Sequence, residues 1–175
     1  MSELIKGLLD YSRLGLNPES KLTDLNELLG SVIKDMQSTI KESGAKIHVE
    51  KLPVLNIYPT ELRLLFQNLI GNAIKFRDRQ RVPEISISAS KVNDEWQFTL
   101  KDNGIGIDPK NHKKVFEIFQ RLHRRTEYEG SGIGLAHAKK IVTLHNGKIW
   151  FDSLPGNGST FHFTLNPKLF SNNGK

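Results

Sequence analysis

The spacing of apolar residues changes several times along the chain, and each change predicts an element. Over residues 3 to about 14, Leu4, Ile5, Leu8, Leu9, Tyr11 and Ser12 form a seam of near-heptad spacing, as at the end of a bundle or coiled-coil helix. Gly15 and Asn17-Pro18 stop it. After a short linker, Leu28, Leu29, Val32, Ile33, Met36 and Ile40 share one face, which predicts a second helix from about 26 to 42, ended by Gly44. Ile47 and Val49 alternate with polar neighbours and predict a strand over 46–51. Pro59 suits the first turn of a third helix, whose stripe is Leu62, Leu65, Phe66, Leu69, Ile70 and Ala73. Ile85, Ile87 and Ala89, then Trp96, Phe98 and Leu100, predict two antiparallel strands joined near Asn93-Asp94. A glycine-rich turn over 103–108, a polar helical stretch over 110–119 and a basic irregular segment over 120–131 come next. The last helix spans 132–144 with its exit at Gly147, and strands over 148–153 and 159–165 meet at Pro155-Gly156-Asn157-Gly158. Helices and antiparallel strand pairs without regular βαβ alternation predict an α+β, two-layer sandwich with helices on one face of a mostly antiparallel sheet.

Composition narrows the classes. The 175 residues suit one good-sized domain with an appendage, and 37% apolar against 25% charged residues supports a packed core. No apolar run approaches the roughly 20 residues that span a bilayer. With no cysteine, a disulfide framework, a cysteine nucleophile and a Cys-based metal site are excluded. Lys and Arg number 25 against 19 Asp and Glu, and the resulting charge of +6 favours phosphate-bearing partners. Nucleic acid, anionic lipid and nucleotide all remain open on that ground.

Three places carry candidate chemistry. On the third helix, Asn68, Asn72 and Lys75 fall within roughly 60° of one another along one edge of the apolar stripe. Asn oxygens are neutral, hard ligands suited to Mg²⁺, and Lys75 offers a point charge to a phosphate. A solvated helix flank is the plain alternative. Asp102-Asn103-Gly104-Ile105-Gly106-Ile107-Asp108 follows a strand directly. There an Asp can accept from an exocyclic amine while glycines let backbone approach a flat ring, although a simple turn has the same wording. Gly130-Ser131-Gly132-Ile133-Gly134-Leu135 opens a helix, where bare N–H groups and the helix dipole attract anions, unless it is only a hinge. Neither the Rossmann spacing nor the Walker P-loop fits it. Between the last two lie Lys110, Lys113, Lys114, Arg121, His123, Arg124 and Arg125, interleaved with Phe116 and Phe119. That placement suits a mobile lid over a nucleotide rather than a nucleic-acid stripe.

Taken in order, these boxes resemble the ATP-binding domain of sensor histidine kinases, in the superfamily that includes DNA gyrase, Hsp90 and MutL. The N box is Asn68-Leu69-Ile70-Gly71-Asn72-Ala73-Ile74-Lys75-Phe76, and the G1 box is Asp102 to Gly106. Phe116-Glu117-Ile118-Phe119 is the F box, Gly130 to Leu135 the G2 box, and Gly158-Ser159-Thr160-Phe161 a typical closing strand. Lid wording such as Phe119-Gln120-Arg121-Leu122-His123 is similar to phytochrome-like members. The resemblance implies a Bergerat ATP-binding fold, a mixed, mostly antiparallel sheet covered by three helices on one face. Its implied parts are the end of a dimerisation and phosphotransfer helix at 1–16, a linker and first short strand at 17–25, the ATP-binding domain at 26–166 and a flexible tail at 167–175. It implies Mg²⁺ on Asn72 with Asn68, and ATP contacts from Asn68, Asn72, Lys75, Asp102, Gly104, Gly106, Ile107, Phe119, Arg121, Gly130, Ser131, Gly132, Gly134, Leu135 and Thr160. ADP is then the product.

The ATP-hydrolysing relatives place a Glu four residues before the metal-binding Asn; here that residue is Asn68. A neutral imidazole already carries a nucleophilic lone pair near pH 7, so the missing Glu favours phosphorylation of histidine over hydrolysis. The implied activity is transfer of the ATP γ-phosphoryl to a His on a helical hairpin, for relay to a response-regulator Asp. A non-catalytic, nucleotide-gated module of the same superfamily is the alternative. None of His48, His112, His123, His137, His145 or His162 has the acceptor's context, an acidic residue followed by Leu/Ile-Arg on the first hairpin helix. The chain therefore reads as a fragment starting inside a longer, cytoplasmic-facing kinase, unable to phosphorylate itself. Expected partners are the hairpin of the same kinase, a receiver domain and a second subunit in the parent, without nucleic acid or membrane contact.

Overall fold

Trp96, Phe98 and Leu100 send alternate side chains of β5 (Glu95–Asp102) to one side, and that side is the core. A computed structural model, which describes residues 3–118 and 132–166, places β5 at the centre of a five-stranded sheet. Its order is β2 (Lys46–Val49), β4 (Glu84–Val92), β5, β7 (Ser159–Leu165), β6 (Ile149–Ser153). All neighbours are antiparallel except β2 and β4, which run parallel. The sheet is thus mixed and mostly antiparallel, as predicted. Parallel neighbours need a long crossover, supplied here by β3 (Val54–Ile57) and α4 (Pro59–Lys75).

The inner face presents Ile85, Ile87, Phe98, Leu100, Phe161, Phe163 and Leu165, all buried. Phe98 stacks on Phe163 at 4.9 Å between ring centroids, and Phe66 of α4 meets Phe163 edge-on at 6.0 Å. Helix α4 starts with Pro59 at its first turn and buries Leu62, Leu65, Phe66, Leu69, Ile70, Ala73 and Ile74. Beside it lie α2 (Leu25–Asp35) and α5 (Gly134–Leu144). Asp24 caps α2 by accepting the Asn26 N–H at 2.8 Å. The Asn26 amide in turn pairs with both the N–H and the carbonyl of Leu52, at 2.8 Å each.

His145 bolts α5 to α4. Its Nδ1–H donates to the Ile141 carbonyl at 2.8 Å, and its Nε2 accepts the Tyr58 N–H at 3.1 Å. Those two bonds require the neutral imidazole, and burial of the ring pushes its pKa down while the bond to Ile141 pulls it up. The first helix, α1 (Glu3–Arg13), rests on the outer side of α5. Tyr11 stacks on His137 at 5.6 Å, Lys140 Nζ donates to the Tyr11 carbonyl at 2.7 Å, and Ile5, Leu8 and Leu9 stay exposed.

Four expectations are corrected. The predicted helix over 26–42 is two helices, α2 and α3 (Gln37–Ser43), because Met36 leaves helical geometry at φ −91°, ψ 7°. β3 was not predicted, and it pairs with β1 (Lys21–Asp24) in a separate two-stranded sheet. The polar stretch predicted as helical to 119 is a 3₁₀ turn over Pro109–Lys114. Helix α5 starts at Gly134, two residues later than expected. The tail over 167–175 lies outside the described residues.

Candidate functional site

Asp102 is the last residue of β5, and strand alternation turns it to the same side as Phe98 and Leu100. It is a carboxylate where the core ends, 8% exposed. Gly104 N–H donates to its Oδ1 at 2.8 Å, and Ser159 N–H donates to the same oxygen at 3.2 Å. Its other oxygen takes neither bond. Burial pushes the Asp102 pKa above its ordinary value, and the two N–H donors pull back against that rise.

The loop after Asp102 is held from behind. Gly104 is buried at the end of α4, where Ile105 N–H donates to the Phe76 carbonyl at 3.0 Å. Gly106 has φ +73°, and a Cβ there would stand 2.0 Å from the Leu154 carbonyl oxygen, so only glycine fits. Gly158, at φ +75°, is as tight: a Cβ would sit 2.0 Å from the Asp102 carbonyl oxygen. Both glycines therefore serve backbone-to-backbone packing. Arg81 adds a clamp from the α4–β4 loop, donating to the Gly156 carbonyl at 2.9 Å while paired with Asp78 at 3.0 Å.

The hollow in front of Asp102 is lined by Asn72, Ala73, Phe76, Asp102, Gly106, Ile107, Leu135, Ser159 and Phe161. Of the residues predicted to bind, it gathers Asn72, Asp102, Gly106, Ile107 and Leu135 from α4, the β5 end and the start of α5. Asn68 is one turn before Asn72. Its Oδ1 lies 3.5 Å from where a Cβ on Gly134 would sit, and its buried Nδ2 has no hydrogen-bond partner among the described residues. Lys75 Nζ sits 4.7 Å above the Phe76 ring centroid, and Gly132 lies just ahead of α5 at φ +71°. Among the described residues helix α5 has no side-chain cap, which leaves its first N–H groups to other acceptors.

Among the described residues, Thr160 is a predicted contact that the structure turns away. Ser159 and Phe161 point inward with Asp102, so Thr160 between them faces the opposite side of the sheet. Ser159 takes the place assigned to it. Period-2 counting from Phe161 and Phe163 would have found this, and the same count marks Ser153, paired with Ser159 across the ladder. Phe119, Arg121, Gly130 and Ser131, with the basic residues at 123–125, lie outside the described residues. Phe116 does root the preceding segment, edge-on to Phe151 and Phe161 at 5.9 and 6.5 Å.

Chemically, the hollow offers apolar walls and one anchored carboxylate, which suits a flat heteroaromatic ring bearing an N–H donor. Next to it stand two amides and an uncapped helix start, which suit an anion and a hard cation. Among the described residues there is no group of three or more His, Cys, Asp or Glu that could hold a metal. No helix among them is long and apolar enough to cross a membrane.

Comparison with known proteins agrees with this geometry. Residues 57–169 match the family described as histidine kinase-, DNA gyrase B-, and HSP90-like ATPase. Cyanobacterial phytochrome A of Nostoc sp. (strain PCC 7120 / SAG 25.82 / UTEX 2576) is 45% identical over 166 residues, covering 94% of this chain and 22% of its own length. The chain thus spans about a fifth of that relative's length. Full-length ShkA in complex with AMPPNP superposes with a TM-score of 0.78 at 25% identity, over 93% of this chain and 35% of that one. Histidine kinase ThkA in complex with response regulator protein TrrA gives 0.74 at 23% identity, over 94% and 46%.

Proposed function

The chain belongs to the histidine kinase-, DNA gyrase B- and HSP90-like ATPase family, and from that premise we propose that it is the ATP-binding catalytic part of a two-component sensor histidine kinase. In this reading residues 1–16 end the phosphotransfer hairpin and 26–166 form the catalytic domain, on the cytoplasmic side. One observation carries the reading most directly: a buried carboxylate, fixed through one oxygen, faces a hollow that Asn72 and the start of α5 help to enclose.

The free side of Asp102 accepts the exocyclic amine of adenine. Ile107, Leu135 and Phe161 exclude water from the ring's faces. The triphosphate runs toward Asn72, Asn68, Lys75 and the N–H groups at Gly132 and Gly134, where the positive helix end favours negative charge. The two Asn oxygens fit Mg²⁺, and the buried Asn68 Nδ2, without a partner among the described residues, is a donor for a phosphate oxygen. When bound, the ion would neutralise charge on the β- and γ-phosphates. In the transfer the bond from the γ-phosphorus to its bridging oxygen breaks, a bond to an imidazole nitrogen of the hairpin forms, and ADP leaves. Asn68 has no basic group with which to activate water, so the acceptor is the histidine rather than solvent. The phosphoryl group then passes to a receiver-domain Asp, a step supported by the ThkA complex with a response regulator.

Mg²⁺-dependent ATP binding, followed by labelling in trans of the hairpin from the same full-length protein, tests this. ATP binding with no labelling of that hairpin would refute the kinase reading. A nucleotide-gated interaction module is the second reading, favoured by the grip of α5 on α1 through Tyr11, His137 and Lys140. Asn72→Ala separates them: a gated module keeps its output, whereas a kinase loses phosphotransfer.

A further inference from the structure

Ser153 ends β6 opposite Ser159, outside all the sequence boxes. Three polar contacts meet at its Oγ: the Ile107 N–H at 2.8 Å, the Gly158 carbonyl at 2.8 Å and Ser159 Oγ at 2.9 Å. A hydroxyl has one proton and two lone pairs. The carbonyl can only accept, so the Ser153 proton goes to Gly158. The amide can only donate, so it fills one Ser153 lone pair. What remains toward Ser159 is a lone pair, and the Ser159 hydroxyl must be the donor. With its proton committed to Ser153, Ser159 oxygen offers only lone pairs to any group entering the hollow. Asp102, tied through Oδ1 to two N–H groups, offers a second acceptor beside it. Beside each other at the end of the hollow, Asp102 and Ser159 thus present two acceptors.

We propose that Ser153 is a specificity-determining positioning residue: it locks the Ser159 hydroxyl as an acceptor, so that the hollow selects a purine carrying an amino group at C6 over one carrying an oxo group. The inference rests on the nucleotide-binding reading above. A 6-amino group brings two N–H donors to two acceptors, whereas a 6-oxo group sets a third acceptor against them. If Ser153 were absent, the Ser159 proton could swing inward and meet the oxo oxygen, and discrimination would fall.

The test measures dissociation constants for ATP and for ITP, its 6-oxo counterpart, by calorimetry on the whole chain and its variants. Thermal unfolding confirms that each is folded. Wild type favours ATP. In Ser153→Ala the ITP-to-ATP ratio of dissociation constants falls by about tenfold, the size of one net hydrogen bond. Ser153→Thr keeps the hydroxyl on a strand residue and restores the wild-type ratio. Should S153A fail to fold, Ser153→Cys keeps the shape with weak hydrogen bonding and carries the same expectation. A folded S153A or S153C with an unchanged ratio overturns the assignment, whether both affinities fall together or neither moves, because a merely structural residue would not separate the two bases. Wild type that binds neither nucleotide overturns the proposed function itself, a separate outcome from the first.

Discussion

Asp102→Asn changes one atom of the carboxylate and should divide binding from stability. The Oδ1 that accepts from Gly104 and Ser159 survives as the amide oxygen, so the loop stays anchored. The other oxygen becomes an NH₂ group, which faces the adenine amine donor to donor. Losing a hydrogen bond to a charged acceptor costs about 1.5–3 kcal/mol, and stranding a buried donor costs about 1–3 kcal/mol more. At roughly 1.4 kcal/mol per factor of ten, a sum of about 2.5–6 kcal/mol weakens ATP binding by about sixtyfold to about twenty-thousandfold. The apo protein should not suffer. Burial raises the Asp102 pKa above 3.8, so across that window the folded state holds a proton that the unfolded chain has lost. Stability therefore falls as pH rises through the window, and an amide removes that loss. Calorimetric titration with ATP reads the first effect, and thermal unfolding from pH 4 upward reads the second. Near-native affinity in a folded D102N would refute the assignment, and so would a melting temperature that drops in step with binding.

Three further outcomes follow from the packing. Phe98→Ala removes a fully buried ring stacked on Phe163 and should cost about 3–5 kcal/mol in denaturant unfolding, a large share of a domain's stability. Gly158→Ala forces an L-residue to φ +75° and presses its Cβ on the Asp102 carbonyl, so stability should drop by about 2–4 kcal/mol and ATP binding with it. His145→Ala removes the acceptor of the half-buried Tyr58 N–H, a loss of about 1–3 kcal/mol at neutral pH. Its folded pKa lies below the ordinary 6.5, so acid protonates the unfolded chain first. Wild-type stability is therefore lost as pH falls below 6.5, and the gap between wild type and H145A should narrow over that range.

Elements with a full period of apolar residues were legible in the sequence. The α4 stripe and the alternation of β4, β5 and β7 gave the sheet, its covering and the side on which Asp102 sits. Four-residue β3 offers too few positions for a period, and its pairing with β1 is a long-range choice. The break at Met36 falls inside an apolar face that continues across it, with Met36 and Ile40 both packed on the core, so the pattern shows no interruption. For the site, Asn72, Asp102 and Leu135 came from box spacing, but the glycines were read for contact with a ring. For Gly104 and Gly106 the tightest neighbours are instead the carbonyls of Phe76 and Leu154, which no local pattern reveals. Ser153 and Ser159 were missed for a different reason. Serine on a strand reads as an ordinary surface residue until the register turns it inward.

The same strand face that buries Phe98 and Leu100 ends in Asp102, and the β7 face that buries Phe163 and Phe161 ends in Ser159. Binding site and core are thus one surface, apolar in its middle and polar at its end. An unfolded chain has no such surface, because residues 72, 102, 135 and 159 meet only when α4, β5, α5 and β7 have packed. Any ligand of the hollow therefore binds the folded state alone and raises its stability by RT ln(1 + [L]/Kd), about 2.7 kcal/mol at a hundredfold excess over Kd. Thermal unfolding at rising ATP should follow that logarithm. In D102N the same curve should shift to higher ATP by the factor calorimetry gives for Kd, since the variant alters affinity and leaves the packed surface in place. A ligand-independent melting temperature in a wild type that binds ATP would mean that the nucleotide sits elsewhere, on residues that do not need this surface to form.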